Sequence, residues 1–111
     1  MANTSYAEKY SFDTELSLAA PFTGVAQLVG TLTNNPVMIL FKNQSTVSVF
    51  LADNSGSTKG TTMAVGEEII LDLATNRELA TKRSWPIGTS FYVTGTGGTG
   101  DFKISVIIAT S

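Results

Sequence analysis

Asp101-Phe102-Lys103-Ile104-Ser105-Val106-Ile107-Ile108-Ala109 sets Phe102, Ile104, Val106 and Ile108 two residues apart, with Lys103 and Ser105 between them. Successive side chains of an extended chain point to opposite faces, so this period of two predicts a strand with one apolar face. Ile107 breaks the alternation by joining the Lys103 face, which predicts cover on both sides near the end of the strand. The same period recurs from Glu67 to Leu73, where Ile69, Leu71 and Leu73 face inward and Glu68 and Asp72 outward; Ile70 is the exception.

Working outward, residues 7–12, 15–19, 25–32, 37–42, 46–52 and 90–94 carry similar short runs bounded by Gly, Pro, Asn, Asp and Ser. About eight strands at this spacing predict an all-β chain, a single β-sandwich or jelly-roll-like barrel of antiparallel strands. Pro36-Val37-Met38-Ile39-Leu40-Phe41 is continuously apolar, which suits a central strand buried on both faces or lying under a neighbouring subunit. The polar stretch from Asn54 to Thr62 reads as an exposed loop, and Thr75-Asn76-Arg77-Glu78 as a capping box for one short helical turn. With 111 residues, one domain is expected. Residues 23–111 form the sandwich in this reading, and residues 1–22 are either its first two strands or an N-terminal arm laid across a neighbour.

Composition narrows the functional classes. The chain has no Cys and no His, which removes disulfides, thiolate metal sites, Cys nucleophiles and the commonest general base. Only 14% of residues are charged, against about 25% in an average protein, and the net charge is -2. The close basic group is Lys82-Arg83 with Arg77 nearby, too little to displace many phosphate counterions, so nucleic acid is not expected as a partner. Low charge with 42% hydrophobic residues points instead to permanent assembly. Met1-Ala2-Asn3-Thr4 begins no basic-then-apolar leader and no run approaches a membrane span, so synthesis and residence in a soluble compartment, away from membrane, are expected.

The motifs read as structure rather than chemistry. Gly95-Thr96-Gly97-Gly98-Thr99-Gly100 fits the glycine pattern of dinucleotide sites, but strands flank it where that chemistry needs a helix N-terminus, so a flexible hairpin tip is expected. Asp53-Asn54-Ser55-Gly56 starts like a calcium loop, yet Thr62 stands where the closing acid belongs. Glu67 and Glu68 point to opposite faces of a regular strand and cannot share one acid-base site. No enzyme, metal, cofactor or small-molecule substrate is therefore expected. Asn3 and Asn43 head glycosylation sequons that have no meaning without secretion. The candidate interface comprises Tyr6, Tyr10, Phe12, Phe22, Met38 and Trp85, with Trp85 weighed between partner or sugar contact and core packing.

Residues 43–109 add a resemblance. Asn43-Gln44-Ser45-Thr46-Val47-Ser48-Val49 precedes an Asp/Ser/Gly loop, followed by Val65-Gly66-Glu67-Glu68-Ile69-Ile70-Leu71-Asp72-Leu73 and an Asn-containing turn. Pro86-Ile87-Gly88-Thr89-Ser90-Phe91-Tyr92-Val93 then leads into the glycine segment and the last strand. This order resembles small β-sandwich proteins of tailed-phage virions, most of all capsid decoration (cement) proteins. The resemblance implies a virion protein made in the host cytoplasm and placed on the capsid surface. It implies binding to the major capsid protein and to copies of itself as a homotrimer, so that neighbouring capsid subunits are bridged. Neck, tail or fibre proteins of the same virion, and a carbohydrate-binding module stacking sugars on Trp85, Tyr92 and Tyr6, are the alternatives.

Overall fold

The computed structural model describes residues 9–56, 59–72 and 85–109. Among the described residues eleven strands run in order: β1 (Tyr10–Phe12), β2 (Leu16–Ala19), β3 (Phe22–Thr23), β4 (Gln27–Thr31), β5 (Met38–Ser45), β6 (Val49–Ala52), β7 (Gly60–Met63), β8 (Glu68–Asp72), β9 (Ser90–Thr94), β10 (Thr96–Gly97) and β11 (Gly100–Ala109). All pairings are antiparallel. The first sheet has the order β1/β2-β11-β5-β8, the second β4-β9-β6-β7, and β3 pairs with β10 as a small ribbon.

β1 and β2 lie end to end along the same edge of β11. Phe12 is opposite Ile107 and Leu16 opposite Ile104, so three residues, Asp13 to Glu15, face two. This is a β-bulge of one residue, held by the Asp13 amide donating to the Val106 carbonyl at 2.8 Å. It flips the alternation: Leu16 and Leu18 turn inward on β2, whereas Tyr10 and Phe12 turn outward on β1. Taken as one bulged strand, β1/β2 completes two four-stranded sheets whose strand order is that of a jelly roll. The all-β reading of the sequence is therefore correct.

The core lies between the sheets. Ile39 and Phe41 from β5 and Phe102, Ile104 and Val106 from β11 meet Val49, Leu51, Met63, Phe91 and Val93 of the facing sheet, all buried. The alternation in β11 and β8 holds: Ile69 and Leu71 pack on the core while Ile70 points outward. β5 is central, flanked by β11 and β8. Val29 is the extra residue of a second bulge, in β4, and is buried.

Two expectations need correction. The end of the stretch read as a loop, residues 60–62, forms β7 together with Met63, paired with Val49–Ala52. Its Thr-rich composition hid an edge strand that needs only one apolar side chain, Met63, on its inner face. The glycine segment is not a hairpin tip, because β9 and β11 belong to different sheets. It crosses between them, with Gly24 N–H bonded to the Gly95 carbonyl at 2.7 Å, Ala20 N–H to the Gly100 carbonyl at 2.9 Å and Thr46 N–H to the Thr99 carbonyl at 3.0 Å. At Gly100 the left-handed φ of 82° and the neighbouring Gln44 backbone leave no place for a side chain. The short helical turn at residues 75–81 lies outside the described residues.

Candidate interaction surfaces

The outward face of the first sheet is divided in two. Register places Phe12, Ile107, Met38 and Asp72 in one row across the strands, and Ser105, Leu40 and Ile70 in the next; Tyr10 and Ala109 lie beyond the first. Phe12 is 75% exposed, Tyr10 59% and Ile70 58%, whereas Ile107, Met38 and Leu40 between them are half-buried by their neighbours. Apolar side chains on adjacent strands thus form a patch open to water rather than isolated residues. Its origin is visible in the chain: Ile107, Ile70 and Met38 are the residues that violate the apolar-in, polar-out alternation.

The other half of the face is charged and internally compensated. Lys103 sits directly opposite Lys42, which sits opposite Glu68. Like charges in one cross-strand row repel, and acids relieve them: Glu15 Oε2 accepts from Lys42 Nζ at 3.5 Å and from Ser105 Oγ at 3.2 Å. Asp101 lies 3.9 Å from Lys103. Glu15 projects from the bulge, so the same irregularity that exposes Phe12 places this acid over the lysine row.

The sequence-selected residues separate accordingly. Tyr10, Phe12 and Met38 come together on the outer patch. Phe22 does not: at 4% exposure it is a core residue, pinned where β3 pairs with β10. Trp85 packs edge-on against Phe91 and Phe41, with ring centroids 5.1 and 5.8 Å apart, and its indole N–H donates to Asp53 Oδ2 at 3.1 Å. Tyr6 lies outside the described residues. Ile70 and Ile107, which read in the sequence as lone exceptions to the alternation, complete the patch together with Leu40 of the continuously apolar Pro36–Phe41 run.

A cleft of about 360 Å³ opens beside Trp85, lined among others by Phe41, Leu51, Ile69, Leu71 and Phe91, with Asp53 and Lys59 among its described polar residues. Its walls are apolar. Asp53 is engaged by Trp85 and by Asn54, whose side-chain amide stands 3.5 Å away, as in a turn. Of the two adjacent acids, Glu67 caps the β7–β8 turn by accepting the Ala64 amide at 2.8 Å while Glu68 faces Lys42, so they do not share a site. Among the described residues, no group of three or more acids could hold a metal ion, and no helix is long and apolar enough to cross a membrane.

The titration of Asp13, at the bulge, is clearly displaced. Its carboxylate is held below the usual range, first by the Asn34 side-chain amide at 3.2 Å, then by the Thr14 backbone amide at 2.8 Å and by the Thr33 hydroxyl. These bonds tie the bulge to the β4–β5 turn.

No protein-family model matches this chain, and comparison with curated proteins returns no match. Among solved structures, one described as "Bacillus endospore appendages form a novel family of disulfide-linked pili" aligns over 95% of this chain and 92% of that chain, with 14% identity and a TM-score of 0.49. Such a likeness concerns fold, and fold by itself assigns no function.

Proposed function

We propose that this chain is a structural protein of an assembled particle, a tailed-phage virion, in which it decorates the capsid and bridges neighbouring capsid subunits. The observation that carries the reading is the exposed apolar half of the first sheet's outer face, presented by Tyr10, Phe12 and Ile70 on a charge-poor chain. A freely diffusing monomer gains nothing from such a patch, while an assembly subunit gains about 25 cal/mol for each Å² of apolar surface it covers. The resemblance of residues 43–109 to phage β-sandwich proteins supplies the particle. In this reading each copy contacts several subunits at once, so that parting them requires breaking many individually weak contacts together.

The test is to add purified protein to expanded heads that lack it and to count bound copies by cryo-electron microscopy. Density at symmetry-equivalent positions over the whole shell is the expected result. Absence of binding sinks the proposal, and occupancy confined to a portal or tail axis assigns the chain to the neck or tail instead. In the sugar-binding alternative Trp85, packed edge-on against Phe41 and Phe91 beside the apolar cleft, would be the platform, and Trp85 fluorescence unchanged by saccharides eliminates it.

A further inference from the structure

We infer that the apolar half of the outer face is a self-association surface, on which a second copy of this chain docks through the same residues about a twofold axis. This deepens the assembly reading of that face by naming the partner it meets. The axis lies in the interface and runs across the strands, so strands of the second copy run in the reverse direction.

Charge selects this arrangement. An axis parallel to the strands would stack like row on like row, setting Lys42 and Lys103, which are already opposite one another, over the partner's Lys103 and Lys42. An axis across the strands overlays the rows of Phe12 and Ile70, whose one charge is Asp72 at the β8 edge, and the two lysine-bearing halves project into water at opposite ends. Those charges need no outside partner, since Glu15 answers Lys42 and Asp101 answers Lys103. A face so compensated offers no cationic surface to an anionic membrane or to nucleic acid, whereas a second copy of the same apolar patch, with Asp72 only at its margin, matches it.

Area sets the strength. Four strands about 4.8 Å apart and about 20 Å of strand length present roughly 400 Å² per copy. A stable interface of standard size takes about 800 Å² per partner, so the pair is expected to be weak and concentration-dependent. Such a contact stabilises an assembly only alongside others, leaving the loops and the second sheet for further neighbours.

Sedimentation equilibrium of the full chain tests this. From about 10 µM to about 1 mM the wild type should move from the mass of one copy toward that of two. Phe12→Lys and Ile70→Lys, made separately, should each weaken association at least about tenfold, with unchanged circular dichroism and Trp85 fluorescence. Thr62→Lys, on the exposed β7 edge of the other sheet, should associate like the wild type. A wild type that stays monomeric throughout, a trimer, or Phe12 and Ile70 variants that associate normally would each overturn the inference. Head binding is scored independently. A monomer that binds heads removes this inference alone, and a dimer that ignores them removes the virion reading alone.

Discussion

Ser45 donates its hydroxyl to the Asn43 Oδ1 at 2.6 Å, and its backbone amide to the same oxygen at 3.1 Å, deep inside the sandwich. Asn43, 1% exposed, turns its amide nitrogen to the carbonyls of Val47, Met63 and Ala64 at 3.0 to 3.1 Å. One side chain thereby joins β5, the corner into β6 and the end of β7, that is, both sheets. Its own backbone carbonyl accepts from Gly66 and its amide donates to the Glu67 carbonyl, which brings in β8.

Replacing Asn43 with Leu would remove at once the amide shared by the Val47, Met63 and Ala64 carbonyls and the side-chain acceptor of the Ser45 amide and hydroxyl, although Val47 keeps the Ser45 hydroxyl and Ala64 the Glu67 amide. A loss of about 3 kcal/mol or more is expected, against about 1 kcal/mol for Ser45→Ala. Urea denaturation followed by Trp85 fluorescence measures both. Equal, small losses would mean that the network merely fills space.

Gly30 on β4 faces Leu16 on β2, and a Cβ at position 30 would stand 2.7 Å from Leu16 Cδ2 and 2.9 Å from its Cβ. The second contact is not the free end of a flexible chain, so Gly30→Ala must push the sheets apart or displace β2. A destabilisation of about 1 to 3 kcal/mol is expected. Pairing it with Leu16→Ala should recover part of that loss, and strict additivity of the two changes would refute the contact.

Trp85, Phe41 and Phe91 form a mutually edge-on trio with centroids 5.1 to 5.8 Å apart. Trp85→Phe keeps an aromatic edge but loses the bond to Asp53, and should cost about 1 kcal/mol; Trp85→Ala should cost about 3. Because Trp85 is the sole tryptophan, these variants are best followed by far-ultraviolet circular dichroism. A wild-type midpoint for Trp85→Ala would place the ring outside the core.

The carboxyl of Asp13 titrates lower in the fold than in the unfolded chain, chiefly through Asn34. Its contribution is thus complete above the unfolded value, near 3.9, and is lost as pH falls through the lower folded value. The advantage of the wild type over Asp13→Asn should therefore be full at about pH 6 and shrink below about pH 4. Since the group is largely solvated, the advantage is small, and the change with pH is the diagnostic. Parallel stability curves for the two proteins would count against it.

Local pattern carried much of this architecture. Period-two runs in β8 and β11 placed Ile69, Leu71, Phe102, Ile104 and Val106 on the core side, because alternation is a property of the extended backbone and does not depend on its partners. Phe22 and residues 60–62 were misread for the complementary reason. Whether an isolated aromatic meets water, or a Thr-rich segment gains a ladder, depends on strands remote in sequence. The same holds for the patch: Phe12 and Ile70 are 58 residues apart in the chain, and a one-residue bulge decides which side of the sheet Phe12 occupies.

By itself, then, the amino-acid sequence determined that the chain is all-β, which strand faces are apolar, and which reactive residue types are missing. Each of these follows from composition or from the two-residue period. Only the tertiary structure decided that β9 and β11 lie in opposite sheets, that Asn43 bridges those sheets, and that Tyr10, Phe12, Met38 and Ile70 share one open face. Those relationships are set by hydrogen-bond register between distant strands, and register is a pairwise property that no single strand contains.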